Sequence, residues 1–207
     1  MSLKILRSVT FFALLGRLDL DLAGLARSEK CALCDGPLHS ARYPRKLRGV
    51  PDEVAARFTR RESFCCAREG CRHRTTPPSV VFFGRRLYTA AMVVLVSALA
   101  DGASKRRLTR LSRLYGIDRR TLRRWREWWE ESFPASDFLV ATAGRLAGSL
   151  RRRRLPGAIL DLFPGDGQDR LRRALLFLCP FSTGSVAFER AARWAAKTRR
   201  GGVVTAF

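Results

Sequence analysis

The sequence has few acidic residues and few histidines for its size. Its 207 residues include 18 Asp and Glu against 40 Lys and Arg, and 2 His, so the formal net charge is +22. The positive excess is spread along the chain, which favours a polyanionic partner such as nucleic acid. The scarcity of histidine excludes a His-rich catalytic zinc site, because such a site needs several imidazole ligands.

A long apolar run and a convincing secretion signal are also lacking. Leu87–Ala100, the longest apolar stretch, is shorter than the about 20 residues that a membrane-spanning helix needs. Ser8–Gly16 is apolar and follows Lys4 and Arg7, but no small-residue cleavage site comes after it, and an amphipathic N-terminal helix is favoured. We therefore expect a cytoplasmic protein with no membrane partner, which argues against disulfides between its cysteines.

Motifs of the common enzyme classes are missing as well. The chain has no G-x-S-x-G elbow, no P-loop and no dinucleotide-binding fingerprint. Asp161, Asp166 and Asp169 cluster near its end, but no second apolar strand with its own acid follows them, as a ribonuclease-H-like core would need. We expect no enzymatic activity; the alternative is a transposase subunit with an unrecognised nuclease centre at Asp161 and Asp166.

Cysteines supply the clearest motif. Cys31 and Cys34 stand at C-x2-C spacing, and Cys65, Cys66 and Cys71 follow in a second cluster. A two-residue gap lets one tight turn present two thiolates to a tetrahedral Zn²⁺ ion. Cys31, Cys34 and Cys71 are the expected ligands. Cys66 is preferred to Cys65 as the fourth because its gap to Cys71 is shorter, and neighbouring side chains on a strand point to opposite faces.

Four thiolates close the coordination sphere of zinc, whereas a catalytic zinc keeps one position for water. We therefore expect one structural Zn²⁺ ion. Short extended stretches at Leu38–Tyr43, Arg60–Cys66 and Arg72–Thr76 place the cysteines on hairpins, which predicts a zinc ribbon. His73 is the outside candidate for a ligand, and Cys179 is expected to be a buried core thiol.

Three helices are predicted over the middle of the chain. The first is the apolar Leu87–Ala100, and the second is Lys105–Tyr115, which begins behind a capping Ser104. The third begins behind Asp118 and runs to about Ser132.

The turn between the second and third helices has an informative spacing. Gly116 permits a sharp turn, and the small Ser112 stands four residues before it. Ile117, Leu122 and Trp125 supply apolar positions that would close the angle between the two helices. This pattern is typical of a helix-turn-helix.

The third helix would then be the recognition helix. Its outer face is basic in the first half and carries Glu127 and Glu131 in the second, so its N-terminal half suits a DNA major groove. A basic loop in the ribbon would straddle backbone phosphates. The predicted DNA-contacting residues are Arg42, Arg45, Lys46, Arg48, Arg106, Arg119, Arg120, Thr121, Arg123 and Arg124.

Five stretches carry a further likeness: Cys31–His39, Tyr43–Lys46, Ser63–Ser79, Phe83–Arg85 and Arg120–Arg126. In them the chain resembles a family of short bacterial proteins that are found with insertion sequences and are often labelled transposases. The resemblance implies a zinc ribbon followed by a helix-turn-helix, as at the N-terminus of many transposases, and it implies no catalytic residues.

These observations predict a mainly α protein with a small β zinc ribbon. We divide the chain into a helical lead-in (1–28), the zinc ribbon (29–86), a helix-turn-helix DNA-binding domain (87–134) and a basic helical C-terminal region (135–207), in which Arg151–Arg154 would contact phosphates. The expected function is zinc-dependent binding of double-stranded DNA at the ends or a promoter of a mobile element, together with a separate recombinase or transposase. A zinc protein associated with RNA or ribonucleoprotein is the alternative.

Overall fold

Helices make up most of the protein, and its strands are short. The computed structural model describes residues 3–48, 50–84, 86, 88–150 and 154–201. Within these residues the fold is mainly α-helical with a small antiparallel sheet, which confirms the predicted balance of helix and strand. The predicted positions Arg85, Leu87 and Arg151–Arg153 lie outside the described residues.

A long N-terminal helix forms one side of the core. A 3₁₀ turn, Leu3–Arg7, leads to α1, Val9–Ser28, which is capped by Ser8: its Oγ accepts the Phe11 N–H at 3.2 Å. α1 is amphipathic, as predicted, because its apolar residues recur at helical spacing. Its buried residues are Phe11, Phe12, Leu15, Leu18, Leu22, Ala23 and Ala26.

Short strands surround the cysteines. They are β1 (Leu38–Ser40), β2 (Tyr43–Pro44), β3 (Arg60–Arg61), β4 (Phe64–Cys66) and β5 (Arg74–Thr75). β1, β4 and β5 form an antiparallel sheet in the order β1-β4-β5, and β2 pairs antiparallel with β3. α2, Asp52–Arg57, connects β2 to β3.

The long strands predicted on either side of the hairpin are each divided in two. Between the two ladders, the Ala41 N–H donates to the Ser63 carbonyl at 2.8 Å. The Ala41 carbonyl accepts from the Arg74 guanidinium at 3.3 Å, outside the strand ladders. The predicted strands Leu38–Tyr43 and Arg60–Cys66 are therefore each interrupted, and the structure has two short strands in place of each.

Three helices follow the strands. α3, Ala90–Ala100, starts later than the predicted Leu87 because Thr89 caps it, its Oγ1 accepting the Met92 N–H at 3.2 Å. α4 is Lys105–Tyr115, and α5 is Arg119–Glu127, which continues as a π-helical turn, Trp128–Ser132. α3 is buried on all sides, yet no helix in the described part of the chain is both long and apolar enough to cross a bilayer.

The C-terminal region is helical and packs back onto the rest of the protein. Its elements are α6 (Asp137–Leu150), α7 (Gly157–Asp161), α8 (Gly167–Leu178), a 3₁₀ turn (Cys179–Ser182) and α9 (Phe188–Gly201). α9 packs against α1 and α8, and α8 also touches α3. One hydrophobic cluster therefore contains buried residues from all four of the segments that we distinguished in the sequence.

Serine hydroxyls tie the C-terminal region to the segment after β5. The Ser79 N–H donates to Ser182 Oγ at 2.7 Å, and the Thr76 N–H donates to Ser185 Oγ at 2.7 Å. These bonds satisfy backbone groups that the short strands leave unpaired.

A buried ion pair fixes the same segment to α1. Asp19 accepts hydrogen bonds from the Ser79 hydroxyl and, at 2.7 Å, from the Val80 N–H. Its carboxylate lies 3.8 Å from the Arg61 guanidinium, which also donates to the Pro77 carbonyl at 2.5 Å. Burial raises the pKa of Asp19 to about 6, although Arg61 opposes this shift. The strands are thus anchored to the N-terminal helix by hydrogen bonds to Asp19 as well as by packing.

Candidate metal centre and basic surface

Four cysteine sulfurs converge at the edge of the three-stranded sheet. The Sγ atoms of Cys31, Cys34, Cys66 and Cys71 all lie within 4.8 Å of one another. Cys34 Sγ is 3.4 Å from Cys66 Sγ, and Cys31 Sγ is 3.7 Å from Cys71 Sγ. Sulfurs bound tetrahedrally to one zinc at about 2.3 Å would be about 3.8 Å apart. The four cysteines could therefore hold a metal ion, and they are the four that the spacing selected.

The first pair sits on a tight backbone turn. The Cys31 N–H donates to the Gly36 carbonyl and the Asp35 N–H donates to the Cys31 carbonyl, both at 3.0 Å. Asp35 has a φ of 56°, which closes the turn. A Cβ on Gly36 would lie 3.0 Å from Cys66 Sγ and 3.2 Å from the sulfur of Cys34. Glycine is needed here because the backbone passes directly against the sulfurs.

The second pair comes from the end of β4 and the turn behind it. The Arg68 N–H points at Cys66 Sγ at 3.4 Å, and the Cys71 N–H donates to the Arg68 carbonyl at 3.2 Å. Gly70 and Arg72, on either side of Cys71, have φ angles of 77° and 47°. Both pairs are therefore presented by turns that aim backbone N–H groups toward sulfur, an arrangement that favours thiolate.

The thiols differ in how readily they ionise. Burial disfavours the Cys31 thiolate, but the N–H groups of Leu33 and Cys34 outweigh it and lower the pKa of Cys31 to about 7. Burial raises the pKa of Cys66 to about 12. Since metal ligation requires thiolates, a cation would supply the stabilisation that Cys66 lacks.

Cys65 lies on the other face of β4. Its sulfur donates to the Arg72 carbonyl at 3.3 Å and is not a member of the cluster. Strand alternation thus separates Cys65 from Cys66 in the way that we expected. His73 is also outside the cluster, and Cys179 is a buried core thiol as predicted, with a pKa raised by burial.

α4 and α5 meet at a turn that is bonded from both sides. Gly116 has a φ of 58° and a ψ of 31°, the left-handed region that glycine adopts most easily. The Ile117 N–H donates to the Ser112 carbonyl at 3.0 Å, and the Ser112 hydroxyl donates to the Ile117 carbonyl at 2.6 Å. Asp118 then caps α5, its Oδ1 accepting the Arg120 N–H at 2.7 Å. Ser112 and Gly116 therefore form the turn that their spacing predicted.

α5 divides into an apolar and a basic face. Leu122, Trp125, Trp129 and Phe133 are all buried, at 9%, 5%, 2% and 0% exposure. The guanidinium groups on the other face, those of Arg120, Arg123 and Arg124, are exposed. Arg123 pairs with Glu127 at 3.4 Å, which is an exposed i,i+4 pair of small energy.

The other predicted DNA contacts fall into two groups. Arg42 is paired with Glu62 at 2.8 Å, and Arg45 donates to the carbonyls of Gly84 at 3.0 Å and Arg86 at 2.8 Å. These two guanidiniums are thus bound within the protein. The rest are exposed or partly exposed: Lys46, Arg48, Arg106, Arg119, which donates to Thr109, and Thr121, which accepts from Arg124.

A groove brings the loop after β2 to the side of α5. We call it the α5 groove; it has a volume of about 850 Å³, and its lining includes Arg48, Arg86, Tyr88, Thr121, Arg124 and Trp128. Arg48 forms a backbone bridge to Tyr88, whose hydroxyl donates to the Gly116 carbonyl at 3.4 Å. The sequence did not identify Arg86 as part of this groove, because nothing in its local pattern indicates that its guanidinium lies over the ring of Trp128.

Asp166 and Asp169, two of the aspartates near the end of the chain, have local partners. Asp166 caps α8, its Oδ1 accepting the Asp169 N–H at 2.8 Å. Asp169 is paired with Arg172 at 2.5 Å and Arg173 at 2.7 Å; although burial opposes it, this pairing lowers the pKa of Asp169. Asp161 ends α7, where the sequence allowed either a helix or a strand.

No protein-family model, curated protein or solved structure matches the chain. What the protein does is therefore inferred from two features of its own residues. These are the four-cysteine cluster, which could hold a metal ion, and the two basic helices joined at Gly116.

Proposed function

We propose that the protein is a zinc-dependent DNA-binding protein of a mobile genetic element, which binds the element's ends or a promoter and acts with a separate recombinase or transposase. The observation that carries this proposal is the exposed basic face of α5, held at a fixed angle to α4 by the bonded turn at Gly116. We assign the protein no catalytic step of its own.

α4 and α5 fit a helix-turn-helix in three respects. They are joined by a left-handed glycine, a small residue bonds across the turn, and the apolar face of the second helix is buried against α3 and α4. Such a unit places the N-terminal half of its second helix in the major groove. Arg120, Arg123 and Arg124 would then reach base edges, where arginine binds guanine O6 and N7 through two hydrogen bonds.

Zinc is the metal that the cysteine cluster suits best. Four thiolate donors in a tetrahedral arrangement favour zinc over magnesium and calcium, which prefer oxygen ligands. A closed four-sulfur shell is structural, so the ion would hold β1, β4 and the two turns as a zinc ribbon. Because the strands contain only two or three residues each, they need such support.

The positive charge supplies the general attraction to DNA. A net charge of +22 would draw the protein to phosphates regardless of sequence, and this part of the affinity falls as salt is added. The mobile-element part of the proposal is supported by the resemblance of Cys31–His39, Ser63–Ser79 and Arg120–Arg126 to insertion-sequence proteins.

Selection from a pool of randomised DNA duplexes tests the proposal. We expect the zinc-loaded protein to enrich one sequence, and that sequence to occur at the ends or promoter of the element that carries the gene. Competition with structured RNA at matched salt separates DNA binding from the RNA alternative. Enrichment of no sequence, or stronger competition by RNA, would contradict the proposal.

Substitution within α5 tests which residues read the bases. Arg123→Ala should weaken binding to the selected site by about 1–3 kcal/mol and relax specificity at one base position. Binding to random duplex should change much less. Arg123 is exposed, so its loss should leave the melting temperature almost unchanged.

A further inference from the structure

We propose that Arg48, Arg86 and Arg124 form a phosphate-binding notch in the α5 groove, which holds one strand of the DNA backbone beside the helix. The inference rests on the proposed function and adds to it Arg86, a contact that the sequence did not suggest. It also makes the loop after β2 and α5 contact the same DNA strand.

The three arginines come from separate parts of the chain. Arg48 lies after β2, Arg86 lies before α3, and Arg124 lies on α5, yet all three line one groove. Within the described residues, no carboxylate lies within 4.0 Å of any of their nitrogens. Bringing like charges together costs energy, which an anionic ligand between them would offset.

Arg86 is the most constrained of the three. Its guanidinium lies 4.1 Å from the centre of the Trp128 ring and 5.2 Å from that of Phe83. Partial burial lowers the pKa of Arg86, and no acidic partner compensates. A guanidinium held over an aromatic ring in this way keeps its N–H groups in its own plane, which suits two-pronged binding of a phosphate.

Helix geometry places Arg124 on the side of the helix where Arg86 lies over Trp128. Trp128 follows Arg124 by one helical turn, so their side chains are neighbours on the same face of the helix. A backbone bridge to Tyr88 positions the main chain of Arg48 at the same groove. A phosphate in the notch would therefore meet one guanidinium held in place by packing, that of Arg86, and the exposed side chains of Arg48 and Arg124.

Asp118, Glu127 and Glu131 also line the groove, and Asp118 is engaged as the cap of α5. Glu127 is paired with Arg123 at 3.4 Å, whereas Glu131 lies one turn beyond Trp128. Repulsion from Glu131 would turn the backbone away at that end. The strand would then leave the helix before the π-helical turn.

Salt dependence of binding to a random-sequence DNA duplex of about 30 base pairs tests the notch, because each phosphate contact contributes about 0.9 to the slope of log K against log salt. Arg48→Gln and Arg86→Gln should each reduce the slope by about 1 and weaken random and selected duplexes by the same factor. Arg193→Gln is the control: Arg193 is an exposed arginine on α9, outside the groove.

Arg86→Lys separates charge from packing. Lysine keeps the positive charge but loses the planar stack on Trp128, so the slope should stay near that of the wild type. Arg48 is exposed, so the Arg48→Gln result does not depend on the packing of Arg86. Melting curves and zinc content identify any variant that is misfolded.

The outcomes are distinguishable. If the wild type binds the duplex and neither Arg48→Gln nor Arg86→Gln changes the slope more than Arg193→Gln does, the notch is wrong and DNA binding stands. An equal reduction of the salt slope in Arg86→Gln and Arg86→Lys would show that Arg86 acts through packing and not through its charge. That result would also overturn the notch. A wild-type protein that binds no duplex at low salt would overturn the proposed function itself.

Discussion

Cys65 and Cys66 offer a matched pair for testing the metal centre, because they are adjacent in sequence and face opposite sides of β4. Cys66 Sγ lies 3.4 Å from Cys34 Sγ inside the cluster, and its residue is fully buried. Cys65 is partly exposed and donates only to the Arg72 carbonyl. We expect Cys66→Ser to impair metal binding and Cys65→Ser to leave it intact.

The magnitude follows from the number of ligands. Structural four-ligand zinc sites bind with about 10–16 kcal/mol, so an equal share for each thiolate is about 3 kcal/mol. Loss of one ligand should therefore raise the Kd for zinc about a hundredfold. Because the metal is bound by the folded protein, the melting temperature of zinc-loaded Cys66→Ser should fall, whereas that of Cys65→Ser should stay near the wild type.

Zinc affinity is measured by competition with a chromophoric chelator, and stoichiometry by elemental analysis of the dialysed protein. Cys179→Ala is the control for general loss of core packing, because Cys179 is buried away from the cluster. It should lower stability but retain zinc. Equal zinc affinity in the two serine variants would refute the assignment of Cys66, and wild-type zinc affinity in Cys66→Ser would refute the four-thiolate site.

Two further predictions concern the turn at Gly116 and the buried Asp19. In urea titrations, Gly116→Ala should lower the free energy of unfolding by about 1–2 kcal/mol, since an added Cβ meets no atom there but L-residues disfavour its positive φ. Gly24→Ala is the control: Gly24 lies inside α1 with equal space around it, and the added Cβ should raise the free energy of unfolding by up to about 1 kcal/mol. Equal effects of the two substitutions would contradict this prediction. Asp19 has a pKa raised to about 6, so its contribution to stability is full below its unfolded-state pKa and is lost as pH rises through about 6. The free energy of unfolding of the wild type minus that of Asp19→Asn should fall by about 1.4 kcal/mol between about pH 5 and about pH 7.5, and a rise would show that the pairing with Arg61 dominates.

Local patterns predicted the parts of the molecule that local physics controls. The turn between α4 and α5 follows from Gly116 and Ser112, the separation of Cys65 from Cys66 follows from strand alternation, and the preference for Cys66 follows from its shorter gap to Cys71. Each depends on residues that are close in sequence. The bounds of α4 were predicted for the same reason, since Ser104 and Gly116 mark its two ends.

Contacts between distant segments were missed. In the sequence, Asp19 is one of two acids on an amphipathic helix, and nothing near it indicates a buried ion pair with Arg61. Arg45 reads as part of a basic loop, yet its guanidinium binds carbonyls about forty residues away. Such partners are set by how the helices and strands pack, which the spacing of residues in one segment does not encode.

Long-range contacts of the same kind connect the loop after β2 to α5. Arg45 joins the loop after β2 to the carbonyls of Gly84 and Arg86, and Tyr88 joins the next residues to the turn at Gly116. Tyr88 also packs edge-on against Trp125 at 5.1 Å, on the buried face of α5. The strands are too short to hold this loop in place without the cysteine cluster and the ion pair at Asp19. A metal ion bound by the four cysteines would therefore support the position of the loop, and through it the side of α5 that we propose contacts DNA.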